Sequence, residues 1–212
     1  MTPRAALERG LGELSLALPA HVHDQLLAYL ALLAKWNRSY NLTAIREPHA
    51  MVSQHLLDSL AVLPHLPMPE QGARLADVGA GAGLPGIPLA LARPHWSVML
   101  IESNQKKAAF LRQATIELGL KNVGVHEGRV EAWQPAALFS VVISRAFAEL
   151  AAFVGSCRHL LEPRGMLAAM KGKRPDLELQ HLPAGVRCIS VVRLHTPQLD
   201  AERHLVLCEL TT

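Results

Sequence analysis

The chain has 212 residues, half of them hydrophobic, which is enough for one full domain with a large core and excludes a disordered or fibrous protein. Its formal net charge of +3 permits an acidic partner such as RNA without announcing one. Three scattered cysteines, Cys157, Cys188 and Cys208, with no CxxC pair, argue against a disulfide framework or a zinc site and fit a reducing compartment.

The opening "MTPRAALERGLGELSLAL" mixes Arg and Glu among its apolar residues, unlike a signal peptide. Residues 1 to about 64 read as helical. Leu26, Leu27, Leu30 and Leu33, with Trp36 and Tyr40 beyond, form one apolar stripe, and a second helix is predicted from Glu47 to Leu63. The longest apolar run, "LLAYLALLA", is about half of what a bilayer needs. A soluble, cytoplasmic protein that does not enter a membrane is expected, working as a monomer.

The Pro-rich "PHLPMPEQG" at 64–72 is the natural joint. It separates a helical part, 1–64, from a main domain, 73–212. Beyond it, "RLADVG", "SVMLIES", "VGVHEG", "SVVISRA" and "GMLAAMKG" are strand candidates with helical segments between them. That alternation predicts an α/β fold with a parallel sheet covered by helices. "RCISVVRLHT" and "RHLVLCEL" then form a hairpin across "PQLDAE" that closes the sheet with an antiparallel strand.

Ligands of such sheets sit beyond the carboxyl ends of the strands, where Gly79, Gly81 and Gly83 follow the first one. A dinucleotide fingerprint read from Gly79 needs glycine at position 84, which is Leu84. What stands is Asp77-x-Gly79-x-Gly81-x-Gly83, an acid before alternating glycines. It suits a ligand whose charged part is an amino acid, with Asp77 near the ammonium group, directly or through water. Glu102, ending the second strand, either accepts both ribose hydroxyls of an adenosine or caps the following helix. Together these acids favour S-adenosyl-L-methionine as cofactor, and "GRVEAW" places Val130 and Glu131 beside the expected adenine pocket.

Across almost the whole chain, "KWNRSYNLTAIRE", "HLLDSL", "DVGAGAGLPGIPLAL", "KKAAFLRQ", "GRVE", "ISRAFAEL", "MKG" and "LDAERHLV" resemble the RsmG (GidB) family of small-subunit ribosomal RNA guanine-N7 methyltransferases. The resemblance implies a class I methyltransferase, Rossmann-like seven-stranded sheet with an N-terminal helical extension. It also implies S-adenosyl-L-methionine as donor and a loop guanine of 16S rRNA, naked or within the small ribosomal subunit or its precursor, as acceptor. Carried over by position, the family's cofactor contacts fall on Gly79, Leu84, Val130, Glu131 and Arg145. Gln54 stands where the family often has a basic residue, and no Lys/Arg-rich tail follows "CELTT", so RNA affinity is expected from the folded body.

Guanine N7 carries a free lone pair and loses no proton when methylated, so no general base is needed. After the fourth strand stand Ser144, Arg145, Ala146 and Phe147, and an arginine only donates. Arg145 can hold guanine O6, a phosphate or the methionine carboxylate, the last two being favoured. Phe147 either stacks on the extruded base or belongs to the core. Because N7 is hidden in the deep groove of A-form RNA, an unpaired guanine is expected. Asn37, Asn41 and Thr43 either cap the N-terminal helix or form a lid or RNA contact. His55 and Asp58, three residues apart, are expected to be a local pair rather than a metal site, and no metal is expected. Lys35, Arg38 and Arg46, with Lys171, Lys173 and Arg174, form an expected basic rim, and Arg203 opens the last strand at the same edge. The rival reading is a methyltransferase of another RNA, a protein or a small molecule.

Overall fold

The computed structural model describes residues 1–211. The seven predicted strands appear as β1 (Arg74–Val78), β2 (Ser97–Glu102), β3 (Val123–Glu127), β4 (Phe139–Ser144), β5 (Leu161–Lys171), β6 (Val186–Arg193) and β7 (His204–Leu210). They form one sheet in the order β3-β2-β1-β4-β5-β7-β6, in which only β7 runs against its neighbours. Every residue of β4 is buried, as a strand covered on both faces requires, whereas the edge strands β3 and β6 are only partly buried. β6 stops at Arg193 rather than running on to Thr196, so the final hairpin is joined by residues 194–203.

Alternate strand residues feed two cores, as the period of two demands. Leu75, Leu100, Val141 and Ile143 pack against α5 (Gly86–Ala92), α6 (Gln105–Glu117) and the N-terminal helices. Ala76, Val78, Ile101 and Val142 pack against α7 (Leu150–Cys157) on the opposite face. A short α8 (Asp176–Gln180), not foreseen from the sequence, follows β5.

The N-terminal part shares the first of these cores. It comprises α1 (Pro3–Glu13), α2 (Ala20–Tyr40) and a third helix that is not uniform. α3 (Pro48–Met51) passes through a π-helical turn, Val52–Leu57, into α4 (Asp58–Leu60), where the apolar pattern predicts one continuous α-helix. Such wide turns occur frequently at functional sites. α2 is tied to the glycine loop by Tyr29, whose buried hydroxyl donates to the Ala82 carbonyl at 2.7 Å. No helix among the described residues is long and apolar enough to cross a membrane.

Candidate active site

Parallel strands with a shared register bring the ends of β1, β2 and β4 to one edge: Val78 pairs with Ile101, and Asp77 with Ile143. Two cavities open there. The first, about 220 Å³, is lined by Gly79, Ile101, Val130, Glu131, Ala146 and Phe147, among others. The second, about 350 Å³, lies between the N-terminal helices and the sheet, with Thr43, His55, Asp58, Arg145, Lys171 and Arg203 in its walls. The segment after β4 divides them. Arg145 lines the second cavity and Phe147 the first: residues two apart in a strand would share a face, but the chain leaves β4 at Ser144 and the irregular segment beyond it does not keep that alternation.

The glycine loop is braced from beneath. Asp77 is fully buried, and its Oδ2 accepts the Gly86 N–H at 2.8 Å while Oδ1 has no protein partner. Burial pushes its carboxyl up to about 7. From the sequence Asp77 is expected near a ligand's ammonium group, directly or through water; it has no exposure, and the contact made by its carboxylate is the one that braces the loop at Gly86. Gly83 is likewise a packing glycine, since a Cβ there would lie 2.4 Å from Ile87 Cδ1. Leu84 is 4 % exposed and belongs to the core. Gly79 lines the first cavity, and at Gly81, where φ is +58°, a Cβ would point into open space with only the Gly79 carbonyl at 3.8 Å.

Glu102 reads from the sequence either as a ribose acceptor or as the cap of the following helix. Oε2 accepts the Gly81 N–H and Oε1 the Asn104 N–H, each at 2.8 Å, so the side chain fastens the loop to the start of α6. Asn104, not Glu102, is the N-cap of α6. Each carboxylate oxygen keeps a second lone pair for a ribose hydroxyl. Glu131 is exposed, with Ser156 donating to it at 3.1 Å.

Asp58 organises the second cavity. It is 1 % exposed, and its Oδ2 accepts from Arg145 Nη1 at 3.1 Å while Oδ1 accepts from Arg203 Nε at 2.9 Å. The sequence reading paired Asp58 with His55; the structure does not. The π turn spreads the two side chains further apart than an α turn would, and His55 Nε2 instead lies 3.0 Å from Thr43 Oγ1. Asp58 is the important residue that the sequence pattern left out of the site, because both partners are remote in the chain.

Other expectations are sorted by burial. Asn37 is 4 % exposed, and its amide is held by the Thr43 backbone, accepting from N and donating to O at 2.9 Å each. It shapes the 41–46 loop and lines neither of these two cavities. Asn41 is exposed and ends α2 in the left-handed region. Lys171 leaves the basic rim: its Nζ donates to the Ala148 carbonyl at 2.6 Å and to Glu178 Oε2 at 2.8 Å, fixing the loop after β4. Arg174 pairs with Asp176 at 2.7 Å. Lys35, Arg38, Arg46 and Lys173 stay exposed without a carboxylate partner among the described residues.

His55 is held neutral. Burial first, and then the Arg145 charge, push it down to about 4. A folded value below the unfolded 6.5 means that the unfolded chain binds more protons between these limits. The associated stability, about 3 kcal/mol at most, is complete above pH 6.5 and lost as the pH falls through 4. Asp77 acts with the opposite sign, its contribution being lost as the pH rises through about 7. Melting of the native protein and of His55→Leu between pH 7 and 4.5 isolates the histidine: the variant is expected to lose less stability, and parallel curves would refute this.

The arrangement is the fold of the class I methyltransferases, with the glycine loop and Glu102 at its usual ligand edge. The chain belongs to the GidB family, described as rRNA small subunit methyltransferase G, whose profile matches residues 22–206. It is 52 % identical over 213 residues to the ribosomal RNA small subunit methyltransferase G of Burkholderia thailandensis, covering 99 % of this chain and 92 % of that one. The protein of the same description from Laribacter hongkongensis is also 52 % identical, covering 97 % of this chain and 98 % of the other. In structure, a SAM dependent methyltransferase from Aquifex aeolicus superposes with a TM-score of 0.59 at 20 % identity, covering 83 % of this chain and 97 % of that one.

Proposed function

We propose that the protein transfers the methyl group of S-adenosyl-L-methionine to N7 of an unpaired guanine in 16S rRNA, working in the cytoplasm as a monomer on the small subunit or its precursor. The donor is assigned to the first cavity: Gly79 lines it, close against Ala146, Gly81 two residues on leaves backbone open, Glu102 has lone pairs left for the ribose, and Val130 and Glu131 flank the adenine end. When bound, the donor supplies a sulfonium-activated methyl group. The guanine takes the second cavity, across the Ser144–Phe147 segment.

The observation that carries this reading is the chemistry of that second cavity. Asp58 is locked between two guanidinium groups, and His55 is a weak, buried imidazole already bonded to Thr43. The walls therefore offer positive donors and no free base, which suits a nitrogen that loses no proton. Arg145 spends Nη1 on Asp58 and on the Gln54 carbonyl, leaving other guanidinium N–H groups for guanine O6, a phosphate or the donor carboxylate. Ser144 holds the segment in place, donating to the Val78 carbonyl at 2.7 Å and accepting from the Ala146 N–H at 3.1 Å. Catalysis by such positioning supplies on the order of 7–11 kcal/mol when the reacting atoms are aligned. Phe147, which lies against Phe153 on the donor side, is reassigned from base stacking to packing beside the donor.

Mapping 7-methylguanosine in rRNA from cells lacking and re-expressing the gene tests the proposal. One small-subunit guanine should lose and regain its N7 methyl group; an identical pattern in both strains would overturn it.

A further inference from the structure

A third cavity, about 380 Å³, lies outside the two just described, between the end of α2 and the 45–51 segment. Its floor is apolar, from Ala34, Ile45, Pro48 and Met51, and its rim carries Arg38 and Arg46. Both arginines are exposed, and neither meets a carboxylate within 4 Å among the described residues; Arg46 reaches only the neutral Asn41 side chain, at 3.5 Å. The adjacent acid, Glu47, is turned away to the start of α3, accepting the Ala50 N–H at 2.6 Å.

This cleft and the guanine cavity share a wall. Ile45 lines both. The wall is held on the cleft side by Asn37, which grips the Thr43 backbone, and on the other side by the Thr43 hydroxyl against His55. An RNA strand that places a base in the guanine cavity has to continue over the surrounding rim. On this side it meets two unpaired guanidinium groups above an apolar floor, a combination that matches a phosphate joined to a sugar and base.

We infer that the Arg38–Arg46 cleft binds the nucleotide flanking the target guanine, the arginines holding its phosphate and the apolar floor its base or sugar. The inference rests on RNA being the substrate. It assigns to this cleft substrate affinity and not methyl transfer itself, because no lining residue reaches the donor cavity.

The test compares native protein, the Arg38→Ala/Arg46→Ala double variant and Arg38→Lys/Arg46→Lys on undermethylated small subunits. The alanine variant should raise KM for subunits by roughly tenfold, with kcat, donor affinity and melting temperature unchanged. Losing the contact to one single-strand phosphate should flatten the dependence of log affinity on log salt by about 0.7. The lysine variant should recover most of the KM and the slope. Unchanged KM, or a donor affinity that falls in step with it, would overturn the assignment. A raised KM with an unchanged salt slope would overturn it too, pointing to a protein contact. Failure of the native protein to methylate subunits would strike the rRNA reading instead, and is seen before any variant is compared.

Discussion

Replacing Gly81 with valine is expected to abolish methyl transfer and to weaken donor binding by roughly a hundredfold, about 2.8 kcal/mol. Two effects combine. The backbone there sits at φ +58°, a left-handed conformation costing an L-residue roughly 1–2 kcal/mol, and β-branched residues suffer most. The valine methyls would also occupy the open space at the mouth of the loop, which no protein atom fills. Relief by twisting the peptide would pull the Gly81 N–H from Glu102 and release the carboxylate that fastens the loop to α6. Calorimetric titration with S-adenosyl-L-homocysteine and labelled transfer to subunits measure the two losses. Gly83→Ala is the informative contrast: its Cβ collides with Ile87, so melting temperature should drop before donor affinity does. If Gly81→Val binds the donor within threefold of the native protein, the open space has another purpose.

The second large effect is expected at Asp58. Alanine there leaves the Arg145 and Arg203 guanidinium groups facing each other around an emptied, buried position. Breaking a buried ion pair by removing one partner costs about 3–5 kcal/mol. The low end applies, because the two arginine side chains are still 32 % and 25 % exposed and water screens them. In a domain of this size that corresponds to a fall in melting temperature of roughly 6–12 °C. Transfer should fall further than folding explains, because Arg145 also sets the segment that divides the two cavities. Asp58→Asn keeps the shape and one acceptor oxygen, so it should fold better than Asp58→Ala yet remain slow. Full activity in Asp58→Asn at a temperature where it is folded would show that the carboxylate only supports the fold.

The strands were legible because strands buried on both faces write continuous apolar runs, and β1, β2 and β4 are of that kind. The loop at Gly79 was legible as a ligand loop for the same local reason. What the motif does not encode is which of its atoms face inward: Asp77 and Gly83 carry the spacing of ligand contacts, yet one is fully enclosed and the other packs on Ile87. The π turn was hidden because six residues of leucine-rich helix repeat too few times to separate its period from an α-helical one. Arg145 and Phe147 both read as site residues after the fourth strand, but in that irregular segment they serve different cavities, which no spacing encodes. The tie between Asp58, Arg145 and Arg203 joins three remote parts of the chain, and no local pattern announces such a meeting.

The place of β7 has a consequence for how the protein is made. The last strand in the chain is not an edge strand: it lies between β5 and β6, and just before it Arg203 reaches back to Asp58 while Gln198 donates to the Ala6 carbonyl at 2.9 Å. Residues near the beginning therefore wait for residues near the end. At about 5–20 residues per second on a translating ribosome, roughly 7–30 s separate the synthesis of Asp58 from that of Arg203. During that interval the growing chain has no closed second cavity, so methyl transfer cannot begin before Arg203 is in place.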